Sequence, residues 1–294
     1  MRRTKGFTLV ELLVVVGIIG LLAAILVPTL QQANELTNRT VCMSNLKSVG
    51  GAATLYKSQY NNKWPWIHNV QSNWETTDTG TSRDQDPYED PNNPGPRSVT
   101  ALMFLLVREN QPVKLFICPS DEDAIKDINL RDEQTAESDE EEGEFFWDFT
   151  NDLNCSYSWQ APIKKGSNYA SGISDDDNDT VVMSDKTPKY TDSSWQSDKM
   201  EDGMTQQEIR RNMSQNHSKG KKINVLYVGM NVVQADRPDI GSSRDNIFTI
   251  SGKKRRGSRD STQTGIDNHF STRDSYLIGP VGETDANDPD AAME

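Results

Sequence analysis

The sequence predicts an α+β chain in which a long N-terminal helix, membrane-spanning in its first half, packs on a small antiparallel sheet with long loop insertions. Two observations predict this fold. Of the 60 Leu, Ile, Val and Phe residues, 15 lie within the first 27 positions. The rest of the chain is polar and holds only short apolar runs, which suits a small core surrounded by solvated loops.

The overall charge and the lack of catalytic motifs exclude several functional classes. The chain carries 31 Lys and Arg against 44 Asp and Glu, so its formal net charge is −13. We therefore expect no nucleic-acid partner, since duplex binding relies on positive charge. The three histidines, His68, His217 and His269, stand far apart in the sequence, and no hydrolase, P-loop or CxxC motif is present. The sequence predicts a protein that is not an enzyme.

The N-terminus predicts a membrane span. Residues 1–6 form a basic leader, and residues 7–27 are apolar apart from Glu11. A helix of this length reaches about 31 Å, close to the thickness of the hydrocarbon core of a bilayer. Positive charges before the span favour a cytoplasmic N-terminus and an exported remainder. A cleaved secretory signal and a plain signal anchor are the alternatives, but neither explains an acid within the span.

The segment Gly6–Glu11 reads G-F-T-L-V-E and resembles the cleavage and methylation signal of type IV prepilins and type II secretion pseudopilins. The resemblance implies that a prepilin peptidase cuts between Gly6 and Phe7 and methylates the new terminal amine of Phe7. It also implies that Glu11 pairs with this amine in a neighbouring subunit during assembly. Pro28 resembles the proline that kinks the pilin helix.

Two further segments narrow the resemblance. Val41–Gly50 (V-C-M-S-N-L-K-S-V-G) and Phe116–Asp121 (F-I-C-P-S-D) are similar to a pseudopilin-like subgroup with a large C-terminal domain. That subgroup often shows a late H-x9-D-G motif. Here His217 is followed by ten residues and then Val228-Gly229, so the motif is degenerate, and no role that depends on its Asp is carried over.

Residues 28–62 predict an amphipathic stem helix. Apolar residues recur at spacings of three and four and form one stripe, which we expect to be core: Cys42, Leu46, Val49, Ala53, Tyr56 and Tyr60. Gly50 and Gly51 weaken the helix by roughly 1 kcal/mol each. Asn61-Asn62 predicts its end.

Residues 63–281 predict the exported α+β head, and residues 282–294 a flexible tail. A helix capped by Ser98 is expected through Val107. Residues 67–98 predict a long loop, and within the acidic stretch 121–152 we expect a solvated insertion at 133–144. Strands are expected at Val113–Cys118, Cys155–Ile163, Thr180–Ser184 and Asn246–Ser251, and a hairpin at Ile223–Val228 and Asn231–Ala235.

The three cysteines leave their pairing open. A bridge between Cys42 and Cys118 would join the stem to the head in an oxidising compartment. Alternatively, both are buried free thiols, or Cys155 pairs with one of them.

Asp175, Asp177 and Asp179 alternate like the start of a calcium loop. Thr180 and Lys186 stand where an EF-hand loop needs Gly and Glu, so that motif fails. A looser Ca²⁺ loop and a plain acidic turn are the two alternatives, and no other cofactor is expected.

The late basic segments, 219–222 and 253–259, also leave alternatives open. Three alternatives are open: a patch that binds nucleic acid or an anionic surface, a complement to the acidic stretch of a neighbouring subunit, and plain solvated loops. We favour the second and third alternatives over the first.

Together these features predict a structural pilin-like subunit. It would be trimmed by the prepilin peptidase, held as a single-pass protein in the inner membrane with a periplasmic head, and assembled with other pilin or pseudopilin subunits. The product would be a homo-oligomeric filament, either a type II secretion pseudopilus or a type IV pilus-like fibre that reaches the cell exterior. The alternatives are a membrane-tethered binding module that never polymerises and, third, an exported enzyme that depends on His217.

Overall fold

The fold of the protein is given by a computed structural model. The structure describes residues 8–67, 79, 83–88, 96, 98–125, 146–160, 163–165, 168–171, 173, 178–186, 205–211, 213–217, 220–241, 247–248 and 277–278. The acidic insertion 133–144, the basic segment 253–259 and the tail 282–294 lie outside the described residues.

The first helix, α1 (Leu9–Gln59), is a single helix of 51 residues, about 77 Å long. It continues through Pro28. It ends at Gln59, and the next turn contains Asn61 and Asn62 with φ of 54° and 63°. Asparagine tolerates this left-handed conformation better than most residues, so the sequence signal for the helix end is confirmed.

A five-stranded sheet, antiparallel throughout, forms the centre of the head. Its strand order is β6-β5-β4-β1-β7. The strands are β1 (Tyr157–Gln160), β4 (Val181–Asp185), β5 (Ile223–Tyr227), β6 (Val232–Ala235) and β7 (Leu277–Ile278). A separate hairpin pairs β2 (Ile163–Lys165) with β3 (Asn168–Ala170). The α+β prediction is thereby confirmed.

Strands β5 and β6 form the predicted hairpin. Leu226 pairs with Val232 at its closed end. The turn places Met230 at φ 61°, and the Met230 N–H donates to the Tyr227 carbonyl at 2.9 Å. Because successive side chains of a strand point to opposite faces, Leu226 lies on one face of the sheet and Val225 on the other.

The core has two parts, one on each face of the sheet. On one face α1 and α2 (Val99–Arg108) pack against the strands, with Ser98 capping α2 as predicted. The buried residues of α1 are Cys42, Leu46, Val49, Gly50, Ala52, Ala53 and Tyr56. On the other face a smaller cluster includes Val225, Met213 and Phe248, and it lies near the short helix α3 (Gln206–Arg211).

Three strand predictions need correction. Val113–Phe116 is a 3₁₀ helix and not a strand, because the Pro112 and Lys114 carbonyls accept local hydrogen bonds from Leu115 and Ile117. The predicted strand over 155–163 is divided between β1 and β2; the intervening Pro162 has no N–H to donate to a ladder. Ile247 and Phe248 lie in a buried turn, and the rest of the strand predicted there lies outside the described residues.

Candidate functional site

The first half of α1 stands clear of the head. Every large apolar side chain from Leu9 to Leu30 is between 47% and 78% exposed. This segment is long and apolar enough to cross a membrane, and none of its most apolar stretch is buried. A long apolar helix of this kind, next to the N-terminus, fits a membrane-anchored protein.

Glu11 folds back on the start of its own helix. Its Oε2 accepts hydrogen bonds from the Thr8 N–H at 2.9 Å and from the Thr8 hydroxyl at 2.7 Å. In return, the Glu11 N–H donates to the Thr8 Oγ1 at 3.3 Å, which completes a capping box. Gly6 and Phe7 lie outside the described residues, so the expected cleavage point stays a prediction.

A second constellation lies where the stem meets the head. The Sγ atoms of Cys42, on α1, and Cys118, just after the 3₁₀ helix, are 2.6 Å apart. The Nε2 of His217 lies 3.5 Å from the Cys118 Sγ. All three residues are fully buried. These atoms could hold a metal ion or a disulfide, because thiol and imidazole groups serve both purposes.

Two carboxylates flank the His217 imidazole. Glu35, also on α1, places Oε1 3.2 Å from Nδ1. Asp185, at the end of β4, places Oδ2 3.6 Å from Nε2 and is itself fully buried. The ring therefore connects a stem carboxylate to a sheet carboxylate.

Both flanking carboxylates are held from elsewhere in the fold. The Ser120 hydroxyl donates to Glu35 Oε2 at 2.8 Å, and the Arg39 Nε donates to Glu35 Oε1 at 3.0 Å. The Asn224 N–H donates to Asp185 Oδ2 at 2.6 Å. These contacts fix the positions of the negative charges on either side of the ring.

The charges around His217 govern its protonation. Burial alone would lower its pKa, but the hydrogen bonds and charge interactions with Asp185 and Cys118 outweigh burial and raise the pKa to about 10. For Glu35, burial alone would raise the pKa, yet contacts from Ser120, Arg39 and His217 lower it overall. At neutral pH the cluster therefore contains an imidazolium between two carboxylates.

The backbone around the cluster is tied together by further hydrogen bonds. The Asn216 Nδ2 donates to the Ser156 carbonyl at 2.9 Å, and this anchors the residue next to His217. The Ser156 N–H donates to the Phe116 carbonyl at 2.8 Å, close to Cys118. The Asn45 Nδ2 reaches the Ile117 carbonyl at 3.3 Å, so α1 is bonded to the same segment.

The F-I-C-P-S-D segment thus supplies three separate contacts. Cys118 meets Cys42, Ser120 holds Glu35, and Asp121 lies 3.6 Å from the Lys186 Nζ in a buried ion pair. Burial of a charged pair is costly unless both partners stay in place, so this segment must keep a fixed position.

Sequence reasoning missed most of this cluster. The sequence indicates a role for His217 only in the enzyme alternative, and it gives no direct reason to select Glu35 or Asp185. The available signal was the spacing of Glu35, Arg39 and Cys42, which places them on one face of a helix.

Cys155 does not join the other two thiols. Its Sγ lies 3.9 Å from the Met103 Sδ in the core. Burial raises the pKa of Cys155 to about 12, and such a thiol is unreactive.

The predicted calcium loop is only partly described. Asp179 is exposed in a turn before β4, whereas Asp175 and Asp177 lie outside the described residues. Calcium binding therefore stays a prediction. Of the basic residues, Lys221 is exposed and Lys222 lies 3.6 Å from Asp236.

The head also contains an aromatic cavity of about 680 Å³ at the end of the stem. Its walls include Tyr56 and Tyr60, whose rings stack 4.2 Å apart. The Arg108 guanidinium lies over the Trp147 ring at 3.7 Å, and the Tyr60 hydroxyl donates to Glu109 at 2.6 Å. The Arg108 guanidinium and the Tyr60 hydroxyl in these walls therefore already have partners.

Comparison with known proteins is consistent with the N-terminal features. The family described as the prokaryotic N-terminal methylation motif matches residues 1–27. The chain is 40% identical over 65 residues to the type II secretion system core protein G of Klebsiella pneumoniae, a match that covers 22% of this chain and 46% of that protein.

Two pilus proteins are similar as well. The chain is 43% identical over 61 residues to the type IV wide pilus major component of Thermus thermophilus, covering 21% of this chain and 47% of that protein. It is 45% identical over 53 residues to a fimbrial protein of Pseudomonas aeruginosa, covering 18% and 34%. The chain thus spans less than half the length of each of these relatives. No solved structure matches the chain significantly.

Proposed function

We propose that this chain, which begins with a segment of the type IV prepilin and pseudopilin type, is a structural subunit of a pilus-like filament or a type II secretion pseudopilus. The observation that carries the proposal is the exposed apolar half of α1, from Leu9 to Leu30, in which Glu11 is the one charged residue. The matched methylation motif covers this segment as far as residue 27. The similar proteins, named as secretion-system and pilus components, support the same function.

Processing prepares the subunit for assembly. A prepilin peptidase removes residues 1–6 and methylates the amine of Phe7, and residues 7–27 hold the subunit in the inner membrane. The N-terminus faces the cytoplasm, while the stem, residues 28–62, and the head, residues 63–281, lie in the periplasm. Pro28 allows the helix to bend where it leaves the bilayer.

Two properties of α1 support assembly, namely its apolar surface and the charge of Glu11. Moving an apolar helix from lipid into a helical bundle yields little hydrophobic energy, because lipid tails are as apolar as the side chains that they contact. A charged pair in that environment is strong when formed and costly when misaligned. The pairing of Glu11 with the Phe7 amine of the next subunit therefore sets the register, while the heads cover the outside of a homo-oligomeric filament.

This proposal makes the chain a structural protein and not an enzyme. The membrane-tethered binding module is not favoured, since the relatives are named as components of secretion systems and pili. An enzyme that depends on His217 finds no support, because His217 is fully buried among charged partners.

The first experiment is N-terminal peptide mass spectrometry of the full chain from its native membranes. We expect a terminus at Phe7 that carries one added methyl group. An intact Met1 would contradict the proposal, and cleavage near residue 28 would indicate a secretory signal.

The second experiment is Glu11→Gln, scored by the recovery of sheared filaments or of cross-linked subunits. We expect processed subunits in the membrane but no assembly. Glu122→Gln is the matched control, since Glu122 is an exposed acid on the head, and it should assemble normally. Normal assembly of Glu11→Gln would contradict the proposed role.

A further inference from the structure

We propose that Cys42 and Cys118 form a disulfide after export, and that this bond clamps the stem helix to the head at the point where the stem enters the core. The inference rests on the proposed function, because only an exported head meets an oxidising compartment. It goes beyond that function by assigning a covalent modification and a mechanical role to the stem–head junction.

The position of Cys42 supports a clamp. Along α1 from the N-terminus, the described side chains are exposed or half-buried until Cys42, which is the first buried residue of the helix. Its partner belongs to a different part of the chain, 76 residues away. In a filament that is pushed or pulled through its helical core, force passes from the stem into the head at this contact.

The geometry favours a disulfide over a metal ion. The two sulfur atoms lie 2.6 Å apart. Two thiolates on one tetrahedral zinc ion, each at a bond length of about 2.3 Å, stand roughly 3.7 Å apart. The cysteines would therefore have to separate before a metal could enter, whereas a small approach of the sulfur atoms forms the bond.

The neighbours of the pair strengthen the junction in a second way. The His217 imidazolium connects Glu35, two turns before Cys42 on the same helix, to Asp185 in the sheet. The stem is thus held to the head by a covalent bond and by an ionic bridge that lie side by side. The bridge also fills the space next to Cys118, because the His217 Nε2 lies 3.5 Å from its sulfur.

The chemistry is a thiol–disulfide exchange with an external oxidant, which is either a small-molecule disulfide or the disulfide form of a dithiol oxidase. The thiolate of one cysteine attacks the external S–S bond, forms a mixed disulfide and releases one thiolate. The thiolate of the second cysteine then attacks the protein sulfur and releases the other. Two protons leave the cysteines, and the oxidant takes up the two electrons. Both sulfurs are buried in the folded head, so the exchange precedes closure of the head.

The test is peptide mapping of the full chain from native membranes, alkylated before and after reduction. We expect a linked pair of peptides that contain Cys42 and Cys118, and alkylation of Cys155 as a free thiol on denaturation. Alkylation of all three thiols without reduction would overturn the proposal. So would a link through Cys155, or zinc that co-purifies and protects Cys42 and Cys118 until a chelator removes it.

The same digest separates this inference from the proposed function. A methylated Phe7 terminus with unlinked cysteines would contradict the proposed disulfide and support the filament function. A linked pair of cysteines on a chain with an intact Met1 would support the disulfide and contradict the filament function.

The clamp itself is tested by thermal unfolding in detergent. Reduction should lower the Tm of the full chain by roughly 5 to 15 °C, because the bond closes a long loop of the unfolded chain. Cys155→Ser should melt at a lower temperature, because Cys155 is buried in the core, but it should show the same drop on reduction as the unaltered chain. The double variant Cys42→Ser with Cys118→Ser should show no drop on reduction, because it has no disulfide to lose. An equal Tm for the oxidised and reduced chains would overturn the clamp.

Discussion

Individual charged residues give the stem–head junction its strength and its sensitivity to pH. The groups that face His217 are Glu35 on α1, Asp185 at the end of β4, and Cys118 after the 3₁₀ helix. Burial of the ring lowers the pKa of His217, but the hydrogen bonds and charge interactions with Asp185 and Cys118 outweigh it and raise the pKa overall. The unfolded chain loses these contacts, so folding and proton binding are linked.

This linkage predicts a loss of stability at alkaline pH. The folded-state pKa of about 10 lies above the ordinary value of 6.5, so the folded chain binds a proton that the unfolded chain releases in between. The stabilisation is complete below about pH 6.5 and is lost as the pH rises through 10, by on the order of a few kcal/mol. Guanidinium unfolding followed by tryptophan fluorescence measures it.

The matched variant for this measurement is His217→Gln, which removes the titrating group. Its stability should be lower at pH 7 and should change much less between pH 7 and 10. A slope as steep as that of the unaltered chain would show that other groups cause the alkaline loss.

At the scale of elements, α1 carries two adjacent glycines with opposite roles. A Cβ on Gly50 would stand 2.8 Å from a methyl carbon of Leu226 and 3.2 Å from the Met230 sulfur. A Cβ on Gly51 would meet nothing within 4 Å. The first glycine therefore permits the close approach of the helix to β5, while the second only weakens the helix.

We expect Gly51→Ala to raise the free energy of unfolding by roughly 0.5 to 1 kcal/mol through helix propensity. Gly50→Ala has the same helical gain, but it displaces buried Leu226, at a cost of about 1 to 3 kcal/mol. It should therefore lower the stability or leave it unchanged. Chemical unfolding of the pair in parallel tests this, and equal stabilisation by both variants would contradict the packing.

Elements with local signals were predictable from sequence, and elements set by distant contacts were not. The β5–β6 hairpin shows two apolar runs around Gly229-Met230, and α2 has its Ser98 cap, so both were predicted. Val113–Phe116 has the composition of a strand but folds as a 3₁₀ helix, since its carbonyls bond locally. The cluster around His217 joins residues up to 182 positions apart, and the helical spacing of Glu35 and Cys42 indicates a shared face but not the contact with His217.

At the scale of the whole molecule, the two halves of α1 contribute differently to the stability of the head. The apolar residues Leu9–Leu30 contribute nothing to the described core, and the buried residues of the helix begin at Cys42. The head core therefore requires only the second half of α1.

A chain that starts at Thr29 should consequently fold as a soluble head. We expect a monomer without detergent by size-exclusion chromatography, with a Tm within a few degrees of that of the full chain. A second truncation that starts at Gly50 is the matched control, and it should not fold, because it lacks Cys42, Leu46 and Val49. Unfolding of the longer piece would show that the apolar half supports the head.

The capping box at the start of α1 bears on the reversibility of assembly. In the single subunit the Glu11 carboxylate is already bonded to Thr8. Joining the proposed filament then exchanges one set of partners for another, and leaving it restores the first set. Such an exchange makes the net gain at Glu11 on joining the proposed filament smaller than the full strength of its contacts there. Removing a subunit from the proposed filament would then cost only this net amount at Glu11, because its bonds to Thr8 form again.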